Sequence, residues 1–290
     1  MFQAQDEAIL VSFEEALTQS ALSSSTIINY LADLRAFLRW GTCEIDSEFS
    51  LLIVNQAHIR LYRDYLSNKL KRAVSTVNRH LMALRKFFVF AKRVGVISVD
   101  PMGGVALVQG NGQTTSGSLS EEAAEKLFAA AQNGTRAGLV RRDVAILQLL
   151  LQTGLRVSEL TNLQQDDLIF DHPGVRLKVC HPQDKTKMRY LPLSGEICRV
   201  LNNYLSVRPQ SAMTGHIFLN QRGQPISDRT VQRVVSDCAK TAGLAGVSAQ
   251  TLRRTFALQL LSATNDLELV SERLGHQTKA ITAQYLARHK

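Results

Sequence analysis

Cysteine is scarce in this chain of 290 residues, and the four present, Cys43, Cys180, Cys198 and Cys238, stand far apart. They form no C-x-x-C pair, and no histidine joins them at a metal-ligand spacing. That argues against a zinc site or a disulfide framework and for a reducing, cytoplasmic setting. Long apolar runs are missing too: Val144 to Leu151 is interrupted by Gln148 and falls far short of the roughly 20 residues a bilayer-spanning helix needs. Near the start, Asp6 and Glu7 stand where an export signal would place a basic region followed by an apolar core. There is no glycine-rich phosphate loop ending in Gly-Lys-Ser/Thr and no acidic cluster suited to a metal. These absences lead us to expect a soluble, cytoplasmic protein with no membrane partner, no metal and no cofactor.

Positive charge, by contrast, is in excess. Lys and Arg number 34 against 25 Asp and Glu, a net charge of +9, which favours polyanionic partners such as nucleic acid. The charge is also segregated. Acids dominate the first stretch, in Asp6, Glu7, Glu14, Glu15, Asp33, Glu44, Asp46 and Glu48. Between Arg60 and Arg93 there are Arg60, Arg63, Lys69, Lys71, Arg72, Arg79, Arg85, Lys86, Lys92 and Arg93, with Asp64 the only acid. A solvated helix face accounts for many basic runs, but this degree of segregation gives one surface the potential that phosphate binding requires.

Apolar residues at three- and four-residue steps, Tyr30, Leu31, Leu34, Phe37 and Leu38, then Leu81, Leu84, Phe88 and Val89, predict helices up to about residue 95. Ser23 to Thr26 supplies N-cap candidates for the first set. From Val99 to Ser118 the composition shifts to Gly, Ser, Thr, Asn and Gln around Asp100-Pro101 and Gly103-Gly104, which reads as a linker. Ser120, ahead of Glu121 and Glu122, then caps a helix running to about Gln132, and another helix follows from about Val140. Val175 to Val179 and Arg189 to Leu193 read as two short strands separated by a polar connector, His181 to Met188. The expected class is mainly α. It comprises an N-terminal helical bundle over residues 1–100, a linker over 101–117, and a mostly helical domain with a small antiparallel sheet over 118–290.

Three segments carry chemistry. In Thr153-Gly154-Leu155-Arg156-Val157-Ser158-Glu159-Leu160, Gly154 can break one helix while Arg156 and Glu159 share a face of the next. Leu252-Arg253-Arg254-Thr255-Phe256-Ala257 offers a second arginine on a helix whose apolar face is Leu252, Phe256, Leu260 and Leu261. Leu274-Gly275-His276 is followed nine residues on by Tyr285. In this order and spacing the three segments resemble the tyrosine recombinase (phage integrase) family. Ser25 to Phe37 and Thr76 to Phe88 resemble its helical core-binding, SAM-like domain, closest to Xer-type integrases, so the resemblance spans nearly the whole chain.

The resemblance implies a site-specific DNA recombinase in which Tyr285 is the nucleophile. Arg156 and Arg253 clamp a phosphate, His276 donates a hydrogen bond to a phosphate oxygen, and Glu159 supports the arginines. The family's lysine sits on a hairpin between two strands. Gln183 to Arg189 matches that place, with Lys185 the first candidate and Lys187 its rival. Where the family usually has His-x-x-Arg, this chain has Gln250 ahead of Arg253. Glutamine can donate to a phosphate oxygen but cannot take a proton. The implied partners are a double-stranded recombination site, a homotetramer on two such sites, and accessory DNA-bending or directionality proteins. Only Leu286 to Lys290 follow Tyr285, so a C-terminal exchange between subunits is expected to be reduced.

These residue types suit metal-free phosphodiester cleavage. Two guanidiniums can neutralise charge building on the nonbridging oxygens through paired, charge-assisted bonds. A lysine can protonate the leaving 5′ oxygen, and a phenol with a reference pKa of about 10 must lose its proton as it attacks. Two alternatives share the motifs: a DNA-binding member unable to cut, suggested by Gln250, and a type IB topoisomerase-like enzyme that relaxes DNA.

Overall fold

The computed structural model describes residues 3–20, 22–109, 117–133, 137–171, 174–181, 184–209, 214–276 and 278–287. The chain divides into two units, Met1–Gln113 and Thr114–Lys290.

Helix propensity and capping set the first unit. It contains α1 (Ala4–Gln19), α2 (Ser24–Glu44), α3 (Gln56–Asp64) and α4 (Val74–Arg93), with a π-helical turn over Tyr65–Lys69. Ser23 caps α2 as expected, its hydroxyl accepting from Thr26 N–H at 3.2 Å. Leu31, Leu34, Phe37, Leu38, Leu81, Leu84 and Phe88 all lie in the core, joined by Phe13, Phe49, Tyr62 and Phe87. Val89, placed on the apolar face by its spacing, is instead exposed, and Phe87 takes the inward position. Helix α4 is thus rotated slightly from the face that the sequence suggests, because the larger ring gains more by burial.

Part of the segment with linker composition packs onto this unit. Met102 and Val105 are buried in its core. Arg85 donates to the Val105 carbonyl at 2.8 Å, and the Asn78 amide exchanges two hydrogen bonds with the Val108 backbone, at 2.9 and 2.8 Å. Residues 110–116 lie outside the described residues.

In the second unit α5 (Glu121–Gln132) is capped by Ser120, which accepts from Ala123 N–H at 3.2 Å. The centre is α6 (Ala137–Thr153), whose Ile146, Leu147, Leu149 and Leu150 are fully buried. Around it stand α7 (Val157–Thr161), α8 (Gly195–Leu205), α9 (Asp228–Thr241) and α10 (Ala249–Thr264), followed by α11 (Leu267–Leu274) and α12 (Lys279–Ala287). Gly154 ends α6 at φ +64°, and a Cβ there would lie 2.4 Å from the Phe256 ring. The chain can therefore turn beneath α10 only with glycine at this point.

The sheet differs from the sequence expectation. Among the described residues it has three antiparallel strands in the order β1-β2-β3: β1 (Leu168–Asp171), β2 (Gly174–His181) and β3 (Asp184–Leu193). Strand β3 therefore takes in most of the stretch read as a connector, and Cys180 pairs with Met188, Val179 with Arg189 and Leu177 with Leu191. The polar start of β3 carries no apolar alternation because Thr186, Lys187 and Met188 are exposed. Backbone pairing, which side-chain pattern does not report, makes it a strand. No helix among the described residues is long and apolar enough to cross a membrane.

In α2 a Cβ on Gly41 would lie 2.0 Å from the buried Phe49 ring. Although alanine gains about 1 kcal/mol in helix propensity, the overpacking costs more. We expect Gly41→Ala to lower the urea unfolding stability by about 1–3 kcal/mol. An unchanged or higher midpoint would mean that Phe49 yields freely.

Candidate active site

The site is built outward from one buried carboxylate. After Gly154 the chain places Arg156 as the N-cap of α7, with φ −70° and ψ 150°, and not on a helical face. Its backbone N–H donates to Glu159 Oε2 at 2.8 Å and its Nη1 to Glu159 Oε1 at 2.9 Å. The i, i+3 pairing expected from spacing is therefore present but arises from capping, in which a third-position carboxylate satisfies an orphan N–H. Arg189, from β3, lays its Nη1 and Nη2 on the two Glu159 oxygens at 2.9 Å each. Arg253, from α10, brings its Nη1 to 3.9 Å from Glu159 Oε2.

Burial of Glu159 acts to raise its pKa, but hydrogen bonds and charge from Arg189, then from Arg156, win and hold it below the ordinary carboxylate range. The centre is thus an ionised carboxylate among three guanidiniums. The latter differ in access. Arg253 is only 4% exposed, whereas Arg156 is 35% exposed and turned toward a cleft. Arg253 donates to the carbonyls of Gly154 and, at 2.7 Å, Leu274. Burial and then the neighbouring Arg156 push its pKa down to about 10, which leaves it charged at neutral pH.

His276 follows Gly275, which ends α11 at φ +64°. Its Nε2 lies 3.2 Å from Arg253 Nη2, and its Nδ1 lies 2.9 Å from Thr282 Oγ1. A guanidinium offers no lone pair, so Nε2 is the acceptor and Nδ1 carries the proton and donates to Thr282. Burial, then repulsion from Arg253 and Arg156, brings the imidazole pKa down to about 4, so the ring is neutral. Nε2 is therefore engaged as an acceptor.

Tyr285 stands on α12 with its Oη accepting from Gln250 Nε2 at 3.0 Å and its ring edge-on to His276, centroids 5.6 Å apart. Burial lifts the phenol pKa above its ordinary value, against the pull of Arg253, Arg254 and Arg156, so the hydroxyl stays protonated at rest. Arg156, Lys187, Arg189, Gly275 and His276 line a cleft of about 720 Å³. The side chain of Lys185 lies outside the described residues, although its backbone is in β3.

The structure thus gathers Arg156, Glu159, Arg253, His276, Gln250 and Tyr285 from α7, α10, α12 and the turn after α11. Sequence reasoning missed Arg189 and Thr282. For Arg189 a signal existed, since an arginine two residues before the apolar Leu191 stands on the inward face of a strand. Thr282, an ordinary helix threonine, gave none.

Comparison with known proteins follows the same lines. The phage integrase family profile matches residues 118–290, and that of the phage integrase N-terminal SAM-like domain matches 10–95. Among similar proteins, a tyrosine recombinase XerC of Staphylococcus haemolyticus is 35% identical over 286 residues, covering 96% of this chain and 92% of that protein. A tyrosine recombinase XerC of Pelobacter propionicus is 32% identical, covering 92% of this chain and 86% of that protein. The fold is similar to that of XerH recombinase bound to palindromic difH substrate in a post-cleavage complex, with TM-score 0.75, 20% identity, and coverage of 99% of this chain and 87% of that one. It is likewise similar to a lambda integrase tetramer bound to a Holliday junction, with TM-score 0.75, 18% identity, and coverage of 96% and 76%.

The charge environment of His276 generates a prediction. An unfolded chain takes up this proton near pH 6.5, the folded one only near pH 4. Acidification through that window therefore draws on stability, with no further loss from this group below it. We expect the His276 ring carbon resonances of the DNA-free protein to titrate near pH 4. A midpoint at or above 6.5 would contradict the neutral ring.

Proposed function

The chain belongs to the phage integrase family and is a tyrosine-type site-specific DNA recombinase, and from that membership we propose that it cuts DNA by attack of Tyr285 on a phosphorus atom held by Arg156 and Arg253. The observation that carries this reading is the convergence on one carboxylate and one histidine of two arginines 97 residues apart (253 − 156) with the phenol beside them. A bond forms between Tyr285 Oη and phosphorus, the phenol proton passing to solvent, while the bond from phosphorus to the 5′ oxygen breaks, leaving a 3′-phosphotyrosine. The leaving oxygen takes a proton from a lysine on β3. Lys185 is the first candidate, and Lys187, whose side chain lines the cleft, is its rival. The phosphoester energy is kept in the covalent bond, so a 5′ hydroxyl of another strand reverses the step without an external energy source.

Gln250 holds the phenol oxygen and cannot act as a base. Its amide is placed to donate to whatever oxygen occupies that position during attack. Glu159 keeps the arginines aligned. His276 becomes a donor to a phosphate oxygen once the anion's charge favours a proton on Nε2.

The substrate is a double-stranded recombination site, gripped through phosphates by the basic Arg60–Arg93 stretch of the first unit and the cleft of the second. Residues 1–100, together with the part of 101–117 that packs onto them, act as the core-binding domain and 118–290 as the catalytic domain. Four copies on two sites, as the lambda integrase tetramer holds a Holliday junction, exchange strands in pairs, with accessory DNA-bending or directionality proteins as further partners. We place the protein in the cytoplasm, where its duplex lies.

The test begins by selecting a bound sequence from a random duplex library with Tyr285→Phe. Duplexes of that sequence, each nicked at a different position, are then offered to both proteins. Wild type should trap a covalent adduct on the peptide that carries Tyr285, while Tyr285→Phe binds equally and traps none. Binding by wild type with no adduct at any nick, or an adduct on another residue, would overturn the reading.

A further inference from the structure

We propose that Arg189 is a positioning residue for proton delivery, fixing the lysine-bearing face of β3 against the phosphate-binding arginines. The inference rests on the proposed role of a β3 lysine as the acid in strand cleavage. All three edges of the Arg189 guanidinium are engaged inside the protein: Nη1 and Nη2 on Glu159, and Nε on the Arg273 carbonyl at 2.9 Å. Spent in this way on α7 and on the end of α11, it acts as a strap between elements.

What it straps matters because, among the described residues, β3 is an edge strand paired only with β2. Leu191 and Leu193 hold its far half in the core, and nearer the cleft the ties to α11 are reciprocal. Arg189 reaches the Arg273 carbonyl, and Arg273 Nη1 donates back to the Tyr190 carbonyl at 3.3 Å. Side chains two apart on a strand share a face, and Lys187 and Arg189 indeed line the same cleft as Arg156 and His276. The carboxylate that orients Arg156 therefore also sets the position of the strand that presents the lysine.

The fit is specific to arginine. A lysine has neither the paired fork for Glu159 nor the third donor for Arg273. The opposite wall is equally specific, since a Cβ on Gly275 would lie 2.6 Å from Arg189 Nη1. Loss of Arg189 removes the tie of this part of β3 to Glu159 and to the Arg273 carbonyl and leaves Glu159 hydrogen-bonded to Arg156 alone, while Leu191 and Leu193 keep the strand in the core and Arg156 and Arg253 remain.

The experiment compares single-turnover cleavage of the selected duplex with that of one bearing sulfur in place of the scissile 5′ oxygen, whose thiolate leaves without needing a proton. General-acid catalysis contributes about 10²–10⁴-fold. Arg189→Gln and Arg189→Lys should slow cleavage of the ordinary duplex by about 10²-fold or more within that range. The sulfur duplex should be cut at near the wild-type rate, with binding retained, as for the lysine variants Lys187→Ala or Lys185→Ala. Equal slowing on both duplexes, or none on the ordinary one, would overturn the proposal. Rescue of a lysine variant but not of the Arg189 variants would overturn it alone, whereas failure of sulfur to rescue any of the four would overturn the general-acid reading beneath it. If Arg189→Gln does not fold, Arg189→Lys, which keeps the charge, decides.

Discussion

The buried Glu159 carboxylate is the constraint on which the second unit's candidate site depends. Guanidiniums drawn together from α7, β3 and α10 repel one another, and a fully buried charge is costly unless it is paired and hydrogen-bonded. Glu159 removes both difficulties at once, taking the Arg156 backbone N–H, the Arg156 side chain and the Arg189 fork, with Arg253 beyond. Three positive groups and one negative leave two positive charges in excess. Since Arg253 is enclosed and Arg156 half-open, that excess is directed toward the cleft. The network contributes more to the geometry of the fold than to its net stability, because breaking a buried pair is costly while its net worth over apolar packing is small.

The same positive field sets the resting protonation states. It keeps His276 neutral, with Nδ1 on Thr282 and Nε2 turned to Arg253. It also pulls against the burial that keeps the Tyr285 phenol protonated. The Tyr285 phenol is thus protonated, held by a glutamine amide and beside a neutral histidine. A phosphate diester would offset part of the field, satisfy Arg156 and shift the histidine toward its protonated form. In the proposed reaction, substrate binding and activation would be one electrostatic event.

Much of the fold and site was legible in the sequence because it rests on local rules. Ser23 and Ser120 cap their helices, and the apolar steps of α2 and most of α4 mark core faces. Gly154 and Gly275 mark the left-handed turns from which Arg156 and His276 emerge. Other features were hidden where long-range geometry decides. Whether Arg156 lies in a helix or caps one depends on where the chain leaves Gly154, and spacing alone suits both. The polar half of β3 is held by backbone pairing, so its side chains carry no strand pattern. Val89 and Phe87 compete for the inward position on α4, and only packing against Phe13 selects the ring. Arg189 and Thr282 act through partners 30 and 6 residues away in sequence, which no motif records.

The most direct test of the central carboxylate is to replace it by its uncharged isostere, Glu159→Gln, and measure single-turnover cleavage and DNA affinity in parallel at low salt. Removing one negative charge raises the net charge by one, so affinity should hold or rise slightly. Misaligned arginines should slow cleavage by about tenfold or more, at least 1.4 kcal/mol in barrier. A folded Glu159→Gln protein that binds DNA and cleaves it at the wild-type rate would contradict the account.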